Sequence, residues 1–541
     1  MRKCCVVLLA AYFSSLVMFS QPAPQTPRLV LVVSIDQMRF DFLTRFDPLY
    51  KGGLRMLLDR GAVFTNAQYR HAATETGPGH SVILSGSHPS HSGIVANEWY
   101  DAYLAKPINV VDDPVQTVLG GTGRAASPAN ALSFTVGDVL KARTPQSRVV
   151  GVSMKDRSAI LMGGRRADAA YWFENAGGNF VTSTFYMDTA PPWLTQWNLR
   201  RSADRFVGQS WNRLLDDALI YEKYAGKDAV DGESDRKDIT FPHVIAGKAG
   251  ESQHYLDLRR TPFADDVTLD FALEAMKQYE IGRDASTDIL AVGFSASDGV
   301  GHNYGPDSHE TMDQMLRLDL VLGRLFNQID SSVGLANTVV VLTADHGSRP
   351  LVEISQARGQ PGRRAATIVL ERAVTSALAA RYPGVTGLIS YFAADVYLNE
   401  HVMQRHNLAR KEVEQTAIAG LLSSGLVDRV YTHDDLRSTA ASSDPFLTLF
   451  RNAFYEPRSP HLTVHLKRDV YLSGYPGGTG HGSAYEFDRH VPVVFMGTAI
   501  RPGRYPDPSG PEDIAPALAQ LLGIDFPREQ DSRLLTEMFS R

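Results

Sequence analysis

Three carboxylates and three imidazoles stand out in this chain by their positions. Asp298 and His302 are four apart in Ser-Ala-Ser-Asp-Gly-Val-Gly-His. Asp345 and His346 adjoin in Thr-Ala-Asp-His-Gly. Asp36 follows an early apolar run, and His481 lies in Gly-Thr-Gly-His-Gly. Oxygen and nitrogen ligands in this number are the inventory of two zinc ions about 4 Å apart. Between the first ligand and the rest lies Thr76-Gly-Pro-Gly-His80. Pro78 suits the first turn of a helix, and a helix N-terminus favours a bound phosphate dianion. A zinc ion beside the hydroxyl lowers its pKa toward an alkoxide. A two-metal centre with an alkoxide nucleophile points to phosphoryl transfer.

Each piece has an ordinary reading when taken alone. Asp298-x-x-x-His302 shares a face if helical, but its glycines suit a loop equally well. Asp345 and His346 would point oppositely on a strand, so both reach one ion only if the backbone turns, which Gly347 permits. A threonine at a helix start is ordinarily an N-cap, and Thr74 offers a second hydroxyl nearby. Lys155 and Arg157 sit two apart, on one face if a strand continues. They are either a surface pair or a clamp on phosphate oxygens, with arginine supplying the planar fork. Asn97 is either a loop residue or an amide donor to a phosphate oxygen. The joint arrangement carries the argument, because ligands follow the ends of several strands in turn.

Those strands are legible as continuous apolar, β-branched runs too short for helices. They are Leu29 to Ile35 before Asp36, Arg148 to Met154 before Lys155, Ile289 to Phe294 before Asp298, Thr338 to Thr343 before Asp345, and Val491 to Phe495 after His481. Helical spacing separates them, clearest in Thr311 to Ile329, with a late helix over Asp513 to Leu522. Alternating strands and helices predict an α/β sandwich, a mostly parallel central sheet flanked by helices. Ligand sites of such sheets lie at the strand C-termini. Two long stretches break the rhythm, at about 163–284 and 350–479, and read as inserted cap segments beside the active face.

Of 541 residues, 43% are hydrophobic and 21% charged, the composition of a globular protein, and the formal charge is -6 with no basic block. No nucleic-acid binding is expected from this balance. Arg2 and Lys3 precede an apolar stretch from Cys4 to Phe19, then Ser20-Gln21-Pro22. Residues 1–20 therefore read as a secretory signal peptide, the stretch being short of the roughly 20 residues of a spanning helix. The reading leaves a catalytic domain over 28–541, periplasmic or secreted, with no membrane span after signal removal. Cys4 and Cys5 are the only cysteines, so a thiolate zinc site or cysteine nucleophile is excluded from the mature chain.

Taken in order, the motifs resemble the alkaline phosphatase superfamily, and within it the phosphate-irrepressible, PafA-like monoesterases with a threonine nucleophile. They are Ser-Ile-Asp36-Gln-Met-Arg, Thr-Glu-Thr76-Gly-Pro-Gly-His, Ala-Asn97-Glu-Trp-Tyr-Asp, Ser-Met-Lys155-Asp-Arg157, Asp298-x-x-x-His302, Ala-Asp345-His346-Gly and His481-Gly-Ser. The resemblance implies two zinc ions per chain and small phosphate monoesters as substrates. It implies that Asp298, His302 and His481 hold the zinc of the leaving-group side. Asp36, Thr76, Asp345 and His346 would surround the other, with Thr76 rather than Thr74 as nucleophile. Asn97, Lys155 and Arg157 would contact the phosphoryl oxygens. A nucleotide pyrophosphatase/phosphodiesterase shares the ligands, threonine and asparagine, but the Lys155-x-Arg157 pair argues against it. A phosphonoacetate-type hydrolase shares the metals and threonine. A sulfatase needs a Cys/Ser-x-Pro-x-Arg context that Thr76-Gly-Pro-Gly is not.

Overall fold

The structure, a computed structural model, describes residues 26–233, 238–528 and 532–539; the expected signal peptide lies outside them. Ten strands form the central sheet: β1 (Leu29–Ile35), β2 (Ala62–Phe64), β3 (Val118–Leu119), β4 (Val149–Ser153), β5 (Ala169–Glu174), β6 (Asn179–Ser183), β7 (Asp288–Phe294), β8 (Thr338–Thr343), β9 (Val493–Gly497) and β10 (Gly503–Tyr505). Their spatial order is β10-β2-β9-β8-β1-β7-β4-β5-β6-β3. The five strands β8, β1, β7, β4 and β5 run parallel, with Leu29 of β1 level with both Asp288 and Thr338. Only β9 and β6 run against them, so the sheet is mixed but mostly parallel, as the sequence predicts.

The helices that matter here are α1 (Thr76–Ser85), α2 (Asp156–Gly163), α3 (Phe263–Gln278), α4 (Ala296–Tyr304), α5 (His309–Ser332) and α6 (Ile514–Leu522). Helices cover both faces of the sheet. Leu29, Leu31 and Val33 of β1 pack with Met315, Leu318 and Leu322 of α5 and Phe271 of α3. Val30 and Val32 point the other way, into a core with Ile83 of α1 and Ile514 and Leu518 of α6. Period-two alternation with both faces apolar is what turned β1 into an unbroken hydrophobic run. The long helix α5 starts where Ser308 Oγ accepts the Thr311 amide at 3.0 Å, a side-chain N-cap.

The stretch at 163–284 divides. Its first part supplies β5 and β6, which extend the central sheet, and its last part supplies α3, which packs on β7 and β4. Its aromatic richness has a packing cause: Trp193, Trp197, Tyr171 and Phe180 surround Phe271. The stretch at 350–479 builds its own four-stranded sheet from Ile389–Ala393, Asp395–Leu398, Val427–Thr432 and Leu462–Leu466. Helices Ile368–Arg381 and Arg410–Ser423 close a separate core around Leu370, Val413 and Leu421.

Candidate metal centre

Every chemically loaded segment lies at the C-terminal edge of the parallel strands. Asp36 leaves β1, Lys155 leaves β4, Asp298 follows β7 on the first turn of α4, and Asp345 follows β8. His302 lies one turn beyond Asp298 on the same helix, so this pair is helical, with Nε2 of His302 3.2 Å from Asp298 Oδ1. Two sets of side chains gather there, Asp298 with His302 and His481, and Asp36 with Asp298 and His346; within each, the ligand atoms all lie within 4.8 Å of one another. Asp298 belongs to both, so the two sets adjoin. Asp345 flanks the second set, its Oδ2 3.3 Å from His346 Nε2. Asp36, Asp345 and His346 are fully buried, and Asp298 nearly so.

The three imidazoles are oriented alike. Nδ1 of His302, His346 and His481 donates to the backbone carbonyls of Thr479 (2.8 Å), Gly347 (2.9 Å) and Thr74 (2.9 Å). A carbonyl can only accept, so each ring carries a proton on Nδ1 and turns its Nε2 to the centre, the outer-shell device of metal-binding histidines. Burial holds His346 down to about 4. Burial and the neighbouring His346 and His302 hold His481 well below the ordinary imidazole range. Buried Asp36 Oδ1, Asp345 Oδ2 and His346 Nε2 have no hydrogen-bond partner. Orphaned acceptors of this kind are costly unless a cation answers them. The donor set fits a binuclear metal centre.

The carboxylates split by their surroundings. Burial alone would raise Asp36 and Asp298, but the Lys155 ammonium, 2.6 and 2.7 Å away, holds both below the usual carboxylate range. Burial and the Asp36 charge push Asp345 well above it. Two close carboxylates cannot both ionise without a cation between them.

Thr76 is the first residue of α1, and Glu75 precedes it as the capping position. Its hydroxyl makes no capping hydrogen bond and stands 3.4 Å from Lys155 Nζ and 3.5 Å from Arg157 Nη2. Thr74, the other hydroxyl, is spent on the backbone: it donates to the Ser483 carbonyl at 2.8 Å while its own carbonyl orients His481. Asn97 Oδ1 accepts the Gly77 amide at 2.7 Å, which leaves its NH2 group to donate beside the start of α1. All the residues singled out in the sequence therefore meet in one place.

Three residues escaped the sequence reading. Gln37, in a left-handed conformation with φ 62, donates its backbone amide to Asp345 Oδ1 and its side-chain amide to Asp298 Oδ1, both at 3.0 Å. A Cβ on Gly301 would sit 1.8 Å from the Gln37 side chain, so a glycine on α4 makes room for this link. Glu75 fixes Asn97 by accepting its backbone amide at 2.7 Å. Arg259 lines the cleft beside Lys155, Asp298 and His302. A carboxylate between two threonines was visible as a signal for Glu75; nothing local marked the other two.

Residues 30–490 match the family model of type I phosphodiesterases and nucleotide pyrophosphatases. The chain is 34% identical over 528 residues to alkaline phosphatase PafA of Elizabethkingia meningoseptica, covering 95% of each. It is 31% identical over 525 residues to alkaline phosphatase PhoV of Synechococcus elongatus, covering 95% of this chain and 94% of the other. The crystal structure of wild-type PafA superposes with a TM-score of 0.88 at 32% identity, covering 96% of this chain and 100% of that one. With the whole length matched and the fold shared, this chain belongs to the alkaline phosphatase superfamily, as a hydrolase of its PafA-like branch.

Proposed function

We propose that this protein is a zinc-dependent phosphate monoesterase that works through a covalent phosphothreonine on Thr76 and releases inorganic phosphate. The observation that carries the reading is the surroundings of the Thr76 hydroxyl. It sits at a helix N-terminus, beside two carboxylate–imidazole ligand sets, within 3.5 Å of both Lys155 and Arg157. Asp298, His302 and His481 on one side, and Asp36, Asp345, His346 and Thr76 on the other, are the residues that would hold two zinc ions. Zinc there supplies Lewis-acid charge that favours the alkoxide and the departing oxygen.

The chain's own groups do the rest. Thr76 Oγ bonds to phosphorus as the bond to the leaving oxygen breaks, and water then cleaves the phosphothreonine, restoring the hydroxyl. Such transition states are loose, so positioning and charge supply most of the rate. Lys155 and Arg157 hold the oxygens that bear no ester, Asn97 donates its amide to one of them, and the α1 N-terminus adds its dipole. His302, His346 and His481 are held with Nε2 inward by the Thr479, Gly347 and Thr74 carbonyls.

The family description also favours a second reading, a nucleotide pyrophosphatase/phosphodiesterase. Lys155 and Arg157 weigh against it. A monoester dianion presents a charged oxygen to this pair, and a diester puts an uncharged ester group there. The PafA and PhoV relatives, both alkaline phosphatases, support the monoester choice. The deciding experiment compares kcat/KM for an aryl phosphate with that for the methyl diester of the same phenol. The monoesterase reading expects strong preference for the aryl phosphate, and preference for the diester would replace it with the second reading. We further place the mature chain, 28–541, in the periplasm or outside the cell. Among the described residues no helix is long and apolar enough to cross a membrane.

A further inference from the structure

A cleft of about 690 Å³ opens from the metal centre, with Lys155, Asp298 and His302 in its floor and Arg259, Arg260 and Tyr471 among its walls. Its charge is one-sided. Among the described residues Asp298 is the only carboxylate that lines it, and Asp298 is already paired with Lys155 at 2.7 Å. Arg260 is exposed, and among the described residues its guanidinium has neither an ion pair nor a hydrogen bond. Arg259 is half-buried and makes one neutral contact, donating from Nη1 to Asn175 Oδ1 at 3.3 Å. Tyr471 in the lining has the Arg364 guanidinium 5.3 Å from its ring centre, but that arginine is paired with Glu353 at 2.9 Å and adds no net charge, so among the described residues the free cations of the cleft are Arg259 and Arg260. The chain as a whole carries a charge of -6, so this cationic cleft is a local construction rather than an average property.

The two arginines are also held in fixed relation to the reacting centre. They follow the helix Ser252–Leu258. A Cβ on Gly299, next to Asp298, would lie 2.5 Å from the Arg259 carbonyl oxygen. The first turn of α4 therefore rests directly on the Arg259 backbone, and only glycine allows that approach. A half-buried guanidinium with no ion pair among the described residues is expensive to keep; burial and the nearby Arg157 hold its pKa below the ordinary range against the opposing pull of Asp156, Asp298 and Asp36.

We propose that Arg259 and Arg260 form a leaving-group subsite for phosphate monoesters whose alcohol carries a second anionic group, a phosphate or a carboxylate. This rests on the monoesterase reading, because the cleft then receives the part of the substrate beyond the scissile oxygen. A low-dielectric cleft lined by one sign of charge attracts the opposite sign preferentially, and guanidinium groups suit the planar or forked oxygens of carboxylate and phosphate.

The test uses zinc-loaded enzyme with two substrates of nearly matched leaving-group acidity, phenyl phosphate and 3-carboxyphenyl phosphate. The parent is expected to favour the carboxylated ester by about 10-fold in kcat/KM at low salt, mainly through KM, and to lose that preference as salt screens it. Arg260→Glu should abolish or invert the preference, and Arg259→Gln should weaken it. Because both substrates are read on the same preparation, a partly misfolded variant leaves the ratio intact. A parent with no preference, or a preference that survives both substitutions, would overturn the subsite while leaving the monoesterase reading standing. No hydrolysis of either ester would overturn that reading and the subsite with it.

Discussion

At the scale of single residues, Lys155 and Arg157 are the groups that should separate monoesters from diesters. Both approach the Thr76 hydroxyl, and Lys155 also joins Asp36 to Asp298. A charge-assisted contact to phosphate is worth roughly 1.5–3 kcal/mol. Replacing both with alanine should therefore narrow the monoester-to-diester ratio of kcat/KM by about 100-fold or more. Equal losses on both substrates would assign the pair to general electrostatics instead. The two threonines separate in the same way. Thr76→Ala should lose roughly 10,000-fold or more in turnover, and Thr76→Ser, which keeps a hydroxyl, far less. The candidate ligands were readable in the sequence because acids and imidazoles stand beside apolar strand runs, and Thr76 because Gly77-Pro78-Gly79 marks a helix start. Gln37 was not, because its role depends on a left-handed backbone and on a glycine far along the chain, Gly301, that no local pattern connects to it.

At the scale of elements, the site depends on how closely α1 approaches the end of β8. A Cβ on Gly79 would lie 2.1 Å from the Asp345 carbonyl oxygen. Gly79→Ala must therefore move the helix that carries Thr76 away from Asp345. Overpacking of this kind costs about 1–3 kcal/mol, so a lowered melting temperature should accompany a fall in kcat, and a variant with parental stability and activity would refute the close packing. A second junction joins α3 to α4. Asp265 is buried and accepts from the Ala296 amide at 3.2 Å and from Gln314 Nε2 at 2.7 Å. Burial pushes its carboxyl up to about 7. The folded state then keeps a proton that the unfolded chain releases near pH 4, so this group's contribution to stability falls as pH rises from about 4 to about 7. Asp265→Asn cannot ionise, and a flipped Gln314 amide can accept from it. The variant should gain stability over the parent at pH 8 and little at pH 5 in denaturant titrations; equal differences at both pH values would contradict the shifted carboxyl. The core strands were readable because both faces of the sheet are covered, which makes β1, β7 and β8 continuous apolar runs. The limits of the 163–284 stretch were less readable, since β5 carries the run Tyr171-Trp172-Phe173, whose composition resembles the aromatic segment after it.

At the scale of the whole molecule, metal and fold should stabilise one another. The candidate ligands come from segments as distant as Asp36 and His481 and leave buried acceptors unanswered, so ions that bind only the folded chain should raise its stability by mass action. Chelation should abolish activity and lower the melting temperature, and zinc at about two ions per chain should restore both. Full activity with one metal or none would end the two-metal account. The separate core of the 350–479 stretch, around Leu370, Val413 and Leu421, lies outside the ligand sets, so chelation should destabilise the central sheet's core more than this one in hydrogen-exchange measurements.

The central claim, a phosphoryl group carried on Thr76, is tested most directly by trapping it. The zinc-loaded enzyme would be mixed with an aryl phosphate, quenched in acid during turnover, and its peptides sequenced by mass spectrometry. The account predicts one added phosphoryl group, on Thr76, which is absent without substrate and absent in Thr76→Ala. A phosphoryl group on Thr74, whose hydroxyl donates to the Ser483 carbonyl, would contradict it. So would turnover with no phosphorylated peptide, together with inversion of configuration at a chiral phosphate ester, the mark of direct attack by water.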